Sequence, residues 1–179
     1  MEILVRVAVY PASFDPIHLG HADIARRAAL LFDRLIVGVY DRPNKKLMFS
    51  ADERVTMVRE ALADLDNVEA VLYHGLTVDF ARDYNANAMI RGLRTPSDFE
   101  WEFQLALTNQ KLAPFIETVC LMASPQYGFI SSTIVRDITV LGGRLEDLVP
   151  AVVIPRLHQR AAELNGVNNP VQPISQRGT

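Results

Sequence analysis

The residues with most chemical potential lie early in the chain, in the run Pro11-Ala12-Ser13-Phe14-Asp15-Pro16-Ile17-His18-Leu19-Gly20-His21. Two prolines stiffen this run, Ser13 offers a hydroxyl and an amide, and Gly20 lets the backbone come close to a ligand. The run leads from an apolar, strand-like segment straight into a helical one, where free amides and the helix dipole favour an anion. That is the outline of a phosphate site. It has no Walker loop, because G-x-x-x-x-G-K-[ST] is absent, and no dinucleotide G-x-G-x-x-G. A polyphosphate would therefore be held by imidazole, hydroxyl and guanidinium groups. His18 and His21 form an H-x-G-H arrangement, for which the plainer alternative is a capping or surface pair. No further His, Cys or carboxylate stands at a ligand spacing nearby, so no metal ligand is assigned.

Further cations and hydroxyls follow. Lys45 lies in a loop after the second apolar segment, beside Pro43 and Lys46, and a mobile point charge suits phosphate; the alternative is a solvated lysine pair. Arg91 and Arg94 are expected to end the fourth strand, with Gly92 allowing a tight turn between two guanidinium forks. A structural pairing with Asp98 or Glu100 is the alternative there. Ser131-Ser132-Thr133 opens a helix with stacked hydroxyls and free amides, and Arg136 follows one turn later. Asp15 is expected to order the first loop. His74 and His158 are isolated, and the stripe Phe99, Trp101, Phe103, Leu105 and Leu107 reads as core or subunit interface.

The elements that must position these groups alternate between two patterns. Short apolar runs at Val5–Tyr10, Leu35–Tyr40, Val68–Tyr73, Ala88–Ile90 and Thr118–Leu121 read as strands buried on both faces. Helical segments are expected over Gly20–Phe32, Ala51–Leu65, Val78–Tyr84, Asp98–Leu112, from Ser132, and over Ala151–Leu164. Ser50 with Glu53, and Ser97 with Glu100, match the capping box, and Thr77 is a weaker cap. Repeated βα units predict a Rossmann-like, doubly wound, five-stranded parallel sheet with C-terminal helices, whose ligands bind beyond the carboxyl ends of the strands. One domain is expected over residues 1–162, with 163–179 as a flexible tail.

Composition bounds the class. The 179 residues are 49% apolar and 22% charged, with a net charge of −3 and no long basic run, which argues against a nonspecific nucleic-acid binder. A single cysteine, Cys120, excludes an internal disulfide and suits a reducing compartment. No long uninterrupted apolar stretch occurs, so a soluble, cytoplasmic protein without membrane contact is expected.

Taken together, Ser13-Phe14-Asp15-Pro16 with His18-Leu19-Gly20-His21, Asn44-Lys45-Lys46, Ile90-Arg91-Gly92-Leu93-Arg94, Phe99-Glu100-Trp101-Glu102 and Ile130-Ser131-Ser132-Thr133-Ile134-Val135-Arg136 resemble one group of the H-x-G-H nucleotidyltransferases, the phosphopantetheine adenylyltransferase family. The resemblance covers about residues 5 to 160. It implies transfer of the adenylyl group of ATP to 4′-phosphopantetheine, giving dephospho-coenzyme A and pyrophosphate, with Mg²⁺ bridging phosphates. It gives His21 the stabilisation of transition-state charge, with Lys45 and Arg94 as further catalytic cations. ATP contacts are implied for Ser13, Phe14, His21, Gly92, Leu93, Arg94, Glu102, Tyr127, Ser131, Ser132 and Thr133. Acceptor contacts are implied for Ser13, Lys45, Thr77 and Arg91. A homohexamer and feedback by coenzyme A are also implied. The family's first loop usually reads G-T-F-D-P; here Ala12-Ser13 keeps the hydroxyl and adds a methyl. A sister transferase acting on nicotinamide mononucleotide or an alcohol phosphate, and a noncatalytic nucleotide-binding module, are the alternative readings.

Overall fold

Runs such as Leu35-Ile36-Val37 and Ala88-Met89-Ile90 have no polar face to turn to water, so they settle in the middle of a sheet covered on both sides. The computed structural model describes residues 5–43 and 46–168. Its strands are β1 (Val7–Ala12), β2 (Arg34–Tyr40), β3 (Val68–Tyr73), β4 (Ala88–Leu93) and β5 (Glu117–Met122). Its helices are α1 (Leu19–Leu31), α2 (Ala51–Ala61), α3 (Thr77–Asp83), α4 (Pro96–Leu112), α5 (Ser132–Val140) and α6 (Ile154–Asn168), with 3-10 turns at Pro125–Tyr127 and Ala151–Val153.

The strands form one parallel sheet in the order β3-β2-β1-β4-β5. The chain builds outward from β1 through β2 to β3, then crosses back to place β4 on the other side of β1. That reversal is the position where doubly wound sheets bind ligands. Pairing explains why: β1 and β2 stay in register through Ala12 and Val39, whereas β1 and β4 pair only at Ala8–Ala88 and Val9–Met89. Past those residues the ladder ends and a cleft opens. Alternate residues pack on opposite faces, Ala8 and Tyr10 with Ile24, Val58, Val135 and Leu157, and Val9, Ile36 and Met89 with Val78, Phe80 and Ala113.

Several expected boundaries move. β1 starts at Val7 and runs through Pro11 to Ala12; Pro11 has no N–H to donate, and on the β4 side the ladder has already ended there. β4 continues past Ile90 to Leu93, so Arg91 and Gly92 lie within a strand and no tight turn separates the two arginines. α2 stops at Ala61 rather than Leu65. The box at Ser50 forms as expected, with Glu53 N–H donating to Ser50 Oγ at 3.3 Å and Ser50 N–H to Glu53 Oε2 at 2.8 Å, an arrangement worth about 1 kcal/mol. The box at Ser97 does not form. Thr95 caps α4, accepting from Asp98 N–H, and Pro96 occupies the first turn, where its fixed φ suits a helix start. Thr77 is the first residue of α3 and the capping position falls to Leu76. The last helix begins as a 3-10 turn and reaches Asn168, so residues 163–168 are helical.

Candidate active site

The loop after β1 is fixed from beneath by one carboxylate. Asp15 is fully buried, and its oxygens accept the N–H groups of Met48 and Phe49, each at 2.9 Å. The Arg136 guanidinium lies 3.3 Å from the same carboxylate and donates to the Asp15 carbonyl at 2.6 Å. Asp15 therefore orders the loop as expected. Arg136 is committed to that task and adds no charge to the cleft. Phe14 takes a left-handed φ of 47°, a conformation disfavoured for a bulky residue. Its buried ring is edge-on to Tyr10 and lies 4.9 Å from the His21 ring.

α1 begins at the mouth of the cleft. His18 N–H faces His21 Nδ1 at 3.4 Å, and His21 N–H faces His18 Nδ1 at 3.3 Å, a reciprocal cap made by two imidazoles stacked 3.7 Å apart. With His21 Nδ1 accepting, its Nε2 carries the proton and is the donor that the ring presents. His18 is buried, and burial first, then the nearby Arg94 charge, lowers its pKa to about 3, so it is neutral at physiological pH. Gly20 makes this fold-back possible, because a Cβ there would lie 3.1 Å from the His18 ring.

A cleft of about 390 Å³ opens above these groups, between the ends of β1 and β4. Ser13, His21, Gly92, Arg94, Glu102, Tyr127, Ser131, Ser132 and Thr133 all line it, as does Arg91. Both arginines are held by carboxylates. Arg91 makes a two-pronged pair with Glu102, at 2.7 and 2.5 Å, and donates to the Pro11 carbonyl at 2.8 Å across the gap where the ladder ends. Burial opposes the Arg91 charge, and the pairing with Glu102 outweighs it, so the guanidinium pKa is raised. Arg94 is clasped by Asp98 at 3.1 and 3.2 Å and donates to the Ile130 carbonyl at 3.1 Å. Of the two carboxylates expected as structural partners, Asp98 takes that role and Glu102 replaces Glu100. Among the described residues, the positive charge of Arg91, Arg94 and Arg136 is thus matched locally by Glu102, Asp98 and Asp15. What the site offers is oriented N–H donors rather than net charge.

At the opposite wall, Ser131 caps α5 by accepting Ile134 N–H at 3.2 Å. Ser132 Oγ donates to the Pro16 carbonyl at 3.0 Å, and Thr133 Oγ1 accepts from Arg136 at 3.2 Å. Each hydroxyl thus has a partner within the chain. The first-turn amides of Ser132 and Thr133, which no helical carbonyl reaches, are what this wall presents to an anion.

Three expected contacts do not reach the cleft. Phe14 and Leu93 are buried, Phe14 backing His21 from below. Thr77 lines a separate cavity of about 80 Å³ together with Met89, Leu105 and Asn109, on the far side of the Arg91–Glu102 pair, which borders both spaces. Lys45 lies outside the described residues. Among the described residues, no group of three His, Cys, Asp or Glu side chains is arranged to hold a metal. Sequence reasoning missed Tyr10, Ile24 and Ala123 in the lining, and behind it a buried arginine, Arg54. The signal for Arg54 was its place on the core-facing side of α2 among Val55, Met57, Val58 and Ala61.

The cytidylyltransferase-like family profile matches residues 9–138. A phosphopantetheine adenylyltransferase of Caldanaerobacter subterraneus is 49% identical over 156 residues, covering 87% of this chain and 98% of that protein. One of Chloroflexus aggregans is 51% identical over 159 residues, covering 89% of this chain and 99% of the other. A solved chain from Vibrio parahaemolyticus, named as a nicotinate-nucleotide adenylyltransferase, superposes with a TM-score of 0.67 at 18% identity, over 88% of this chain and 94% of that one, and shows the shared fold. The motifs around Ser13, His21, Arg91 and Ser131 and the cleft they line agree with these similarities, and the chain belongs to the phosphopantetheine adenylyltransferase family of cytidylyltransferase-like proteins.

Proposed function

We propose that the chain transfers the adenylyl group of ATP to 4′-phosphopantetheine, giving dephospho-coenzyme A and pyrophosphate. The observation that carries this reading is the convergence of Ser13, His21, Arg91, Arg94 and the start of α5 on one cleft at the divide between β1 and β4. An oxygen of the acceptor phosphate attacks the α-phosphorus in line, a new P–O bond forms, and the bond to the β-phosphate oxygen breaks. Both reactants are anions and no side chain becomes covalently attached, so the protein contributes alignment and preorganised donors. His21 Nε2–H stabilises the charge that grows on the α-phosphate oxygens. Arg94 and the amides of Ser132 and Thr133 hold the departing phosphates, with Gly92, Glu102, Tyr127 and Ser131 completing the nucleotide side. Ser13 stands between the reactants, Arg91 and Lys45 hold the acceptor phosphate, and Thr77 meets the pantetheine arm in the smaller cavity.

Glu102, the carboxylate in the cleft lining, is engaged by Arg91, which fits a Mg²⁺ held chiefly by the phosphates of ATP rather than by protein ligands. Mg²⁺ would supply charge neutralisation across the polyphosphate. The exposed apolar side chains of α4, with Trp101 62% exposed, support assembly with further copies, which we propose to be a homohexamer. Feedback by coenzyme A belongs to the same proposal, since product and substrate share the pantetheine arm. No helix among the described residues is long and apolar enough to cross a membrane, and the proposed setting is the cytoplasm. The test is a pyrophosphate-release assay with ATP alone, with phosphopantetheine alone, with both, and with nicotinamide mononucleotide as a competing acceptor. Release only with ATP and phosphopantetheine together supports the reading; preference for another acceptor overturns it.

A further inference from the structure

Arg54 is fully buried, with 0% exposure, on the face of α2 that otherwise presents Val55, Met57, Val58 and Ala61 to the core. Its Nε has no hydrogen-bond partner among the described residues. Desolvation lowers its pKa, against the opposing charges of Asp15 and Asp41. For stability alone, a well-packed apolar side chain of similar volume serves such a position as well or better. What arginine adds is a fork that joins two loops. Nη1 donates to the Ser13 carbonyl at 2.6 Å and to the Tyr40 carbonyl at 2.8 Å, and Nη2 donates to the Asp41 carbonyl at 3.0 Å. Ser13 belongs to the loop leaving β1, while Tyr40 ends β2 and Asp41 begins the segment that leads in sequence to Lys45.

From this arrangement, and resting on the adenylyl-transfer reading, we infer that Arg54 is a positioning residue that fixes the two substrate-holding loops to each other and so sets the approach of the acceptor phosphate to the α-phosphorus. Arg54 touches neither reactant, because it is fully buried and does not line the cleft. Asp15 makes a second tie between the same regions through the Met48 and Phe49 amides. Loss of Arg54 therefore loosens the root of each loop without releasing them from one another. A displacement of about 1 Å between reacting groups is enough to cost on the order of 10²-fold in rate.

The experiment compares wild type, Arg54→Met and Arg54→Lys by steady-state kinetics with both substrates and by amide hydrogen exchange. Arg54→Met is expected to lower kcat by about tenfold or more, while each KM stays within about threefold, because alignment suffers rather than the binding of either substrate alone. Arg54→Lys, a single point donor, is expected to recover part of that loss. Exchange is expected to rise at residues 12–15 and 40–42 and to stay low in α1. In a Ser13→Ala background the Arg54→Met loss in kcat shrinks, since the group being positioned is gone. A folded Arg54→Met with kcat within about twofold of wild type, a loss undiminished in the Ser13→Ala background, or unchanged exchange in both loops overturns the inference. So does unfolding of both variants, which would assign Arg54 to stability. An inactive wild type rejects the reaction instead, and the exchange result still decides the role of Arg54.

Discussion

Helices α1 and α4 flank the same cleft and treat their apolar residues in opposite ways. α1 buries Ala22, Ile24, Ala25, Ala28 and Ala29 against the sheet, and that anchorage holds His18 and His21 at its first turn. α4 is longer, yet its buried residue is Glu102, while Phe99, Trp101, Phe103 and Leu107 are exposed. One helix is completed by its own chain. The other contributes the carboxylates of Asp98 and Glu102, which hold the two arginines of the site, and turns its large apolar side chains outward. The two meet through Arg91, which Glu102 of α4 holds at the edge of a cleft whose imidazoles come from α1. The imidazoles therefore come from the α1 side, while α4 holds the two arginine donors and leaves an apolar face exposed.

The largest expected effect breaks the α1 side. His21→Ala removes one preorganised donor and is expected to lower kcat by on the order of 10²–10³ with little change in KM, measured by pyrophosphate release. An unchanged kcat would remove His21 from the reaction. Next comes the junction between the two helices. Arg91→Met leaves Glu102 poorly solvated and without its partner, and is expected to cost about 2–3 kcal/mol of stability in chemical denaturation, less than a fully buried pair would lose because Arg91 keeps partial exposure. The KM for phosphopantetheine should rise as well.

How much of this contrast was legible in the sequence depends on how local each determinant is. Ser13, His21 and the cap at Ser131 were legible because strand, loop and helix start are contiguous. The neutralisation of Arg91 and Arg136 was not, since Glu102 and Asp15 lie on other elements and only the tertiary fold brings them within reach. Arg91 and Gly92 read as a turn because they are a poor match to a buried strand. The strand tolerates them because β1 has parted from β4 there, and a Cβ on Gly92 would press within 3.3 Å of Ile24. Arg54 stands in none of the recognised motifs, although its spacing with Val58 and Ala61 put it on the inner face.

Smaller effects sharpen the comparison. Arg94→Ala is expected to raise the KM for ATP about tenfold, roughly 1.4 kcal/mol, and to leave the KM for phosphopantetheine nearly unchanged. His18 supplies a pH signature of the α1 side. Its folded pKa of about 3 lies below the ordinary histidine value of 6.5, so the folded state resists protonation. The stability it confers is complete above about pH 6.5 and is lost as pH falls toward 3, by up to about 1.4 kcal/mol per pH unit. Denaturation curves of His18→Gln between pH 7 and 4 should accordingly slope less than those of wild type; parallel slopes would contradict a neutral, buried His18. Smallest for the chemistry is the exposed face of α4. Trp101→Glu is expected to shift the oligomer toward smaller species in sedimentation while kcat per chain stays within about twofold, and an unchanged oligomer would show that α4 is not the contact.

The central claim, that the cleft between β1 and β4 is an adenylyl-transfer site, is tested most directly by one coupled measurement. Pyrophosphate and dephospho-coenzyme A are quantified together from ATP and 4′-phosphopantetheine, with wild type and His21→Ala side by side. The account predicts equal amounts of the two products from wild type, none when either substrate is omitted, and a rate lower by on the order of 10²–10³ in His21→Ala. Pyrophosphate release that does not depend on phosphopantetheine, or a variant as fast as wild type, would contradict it.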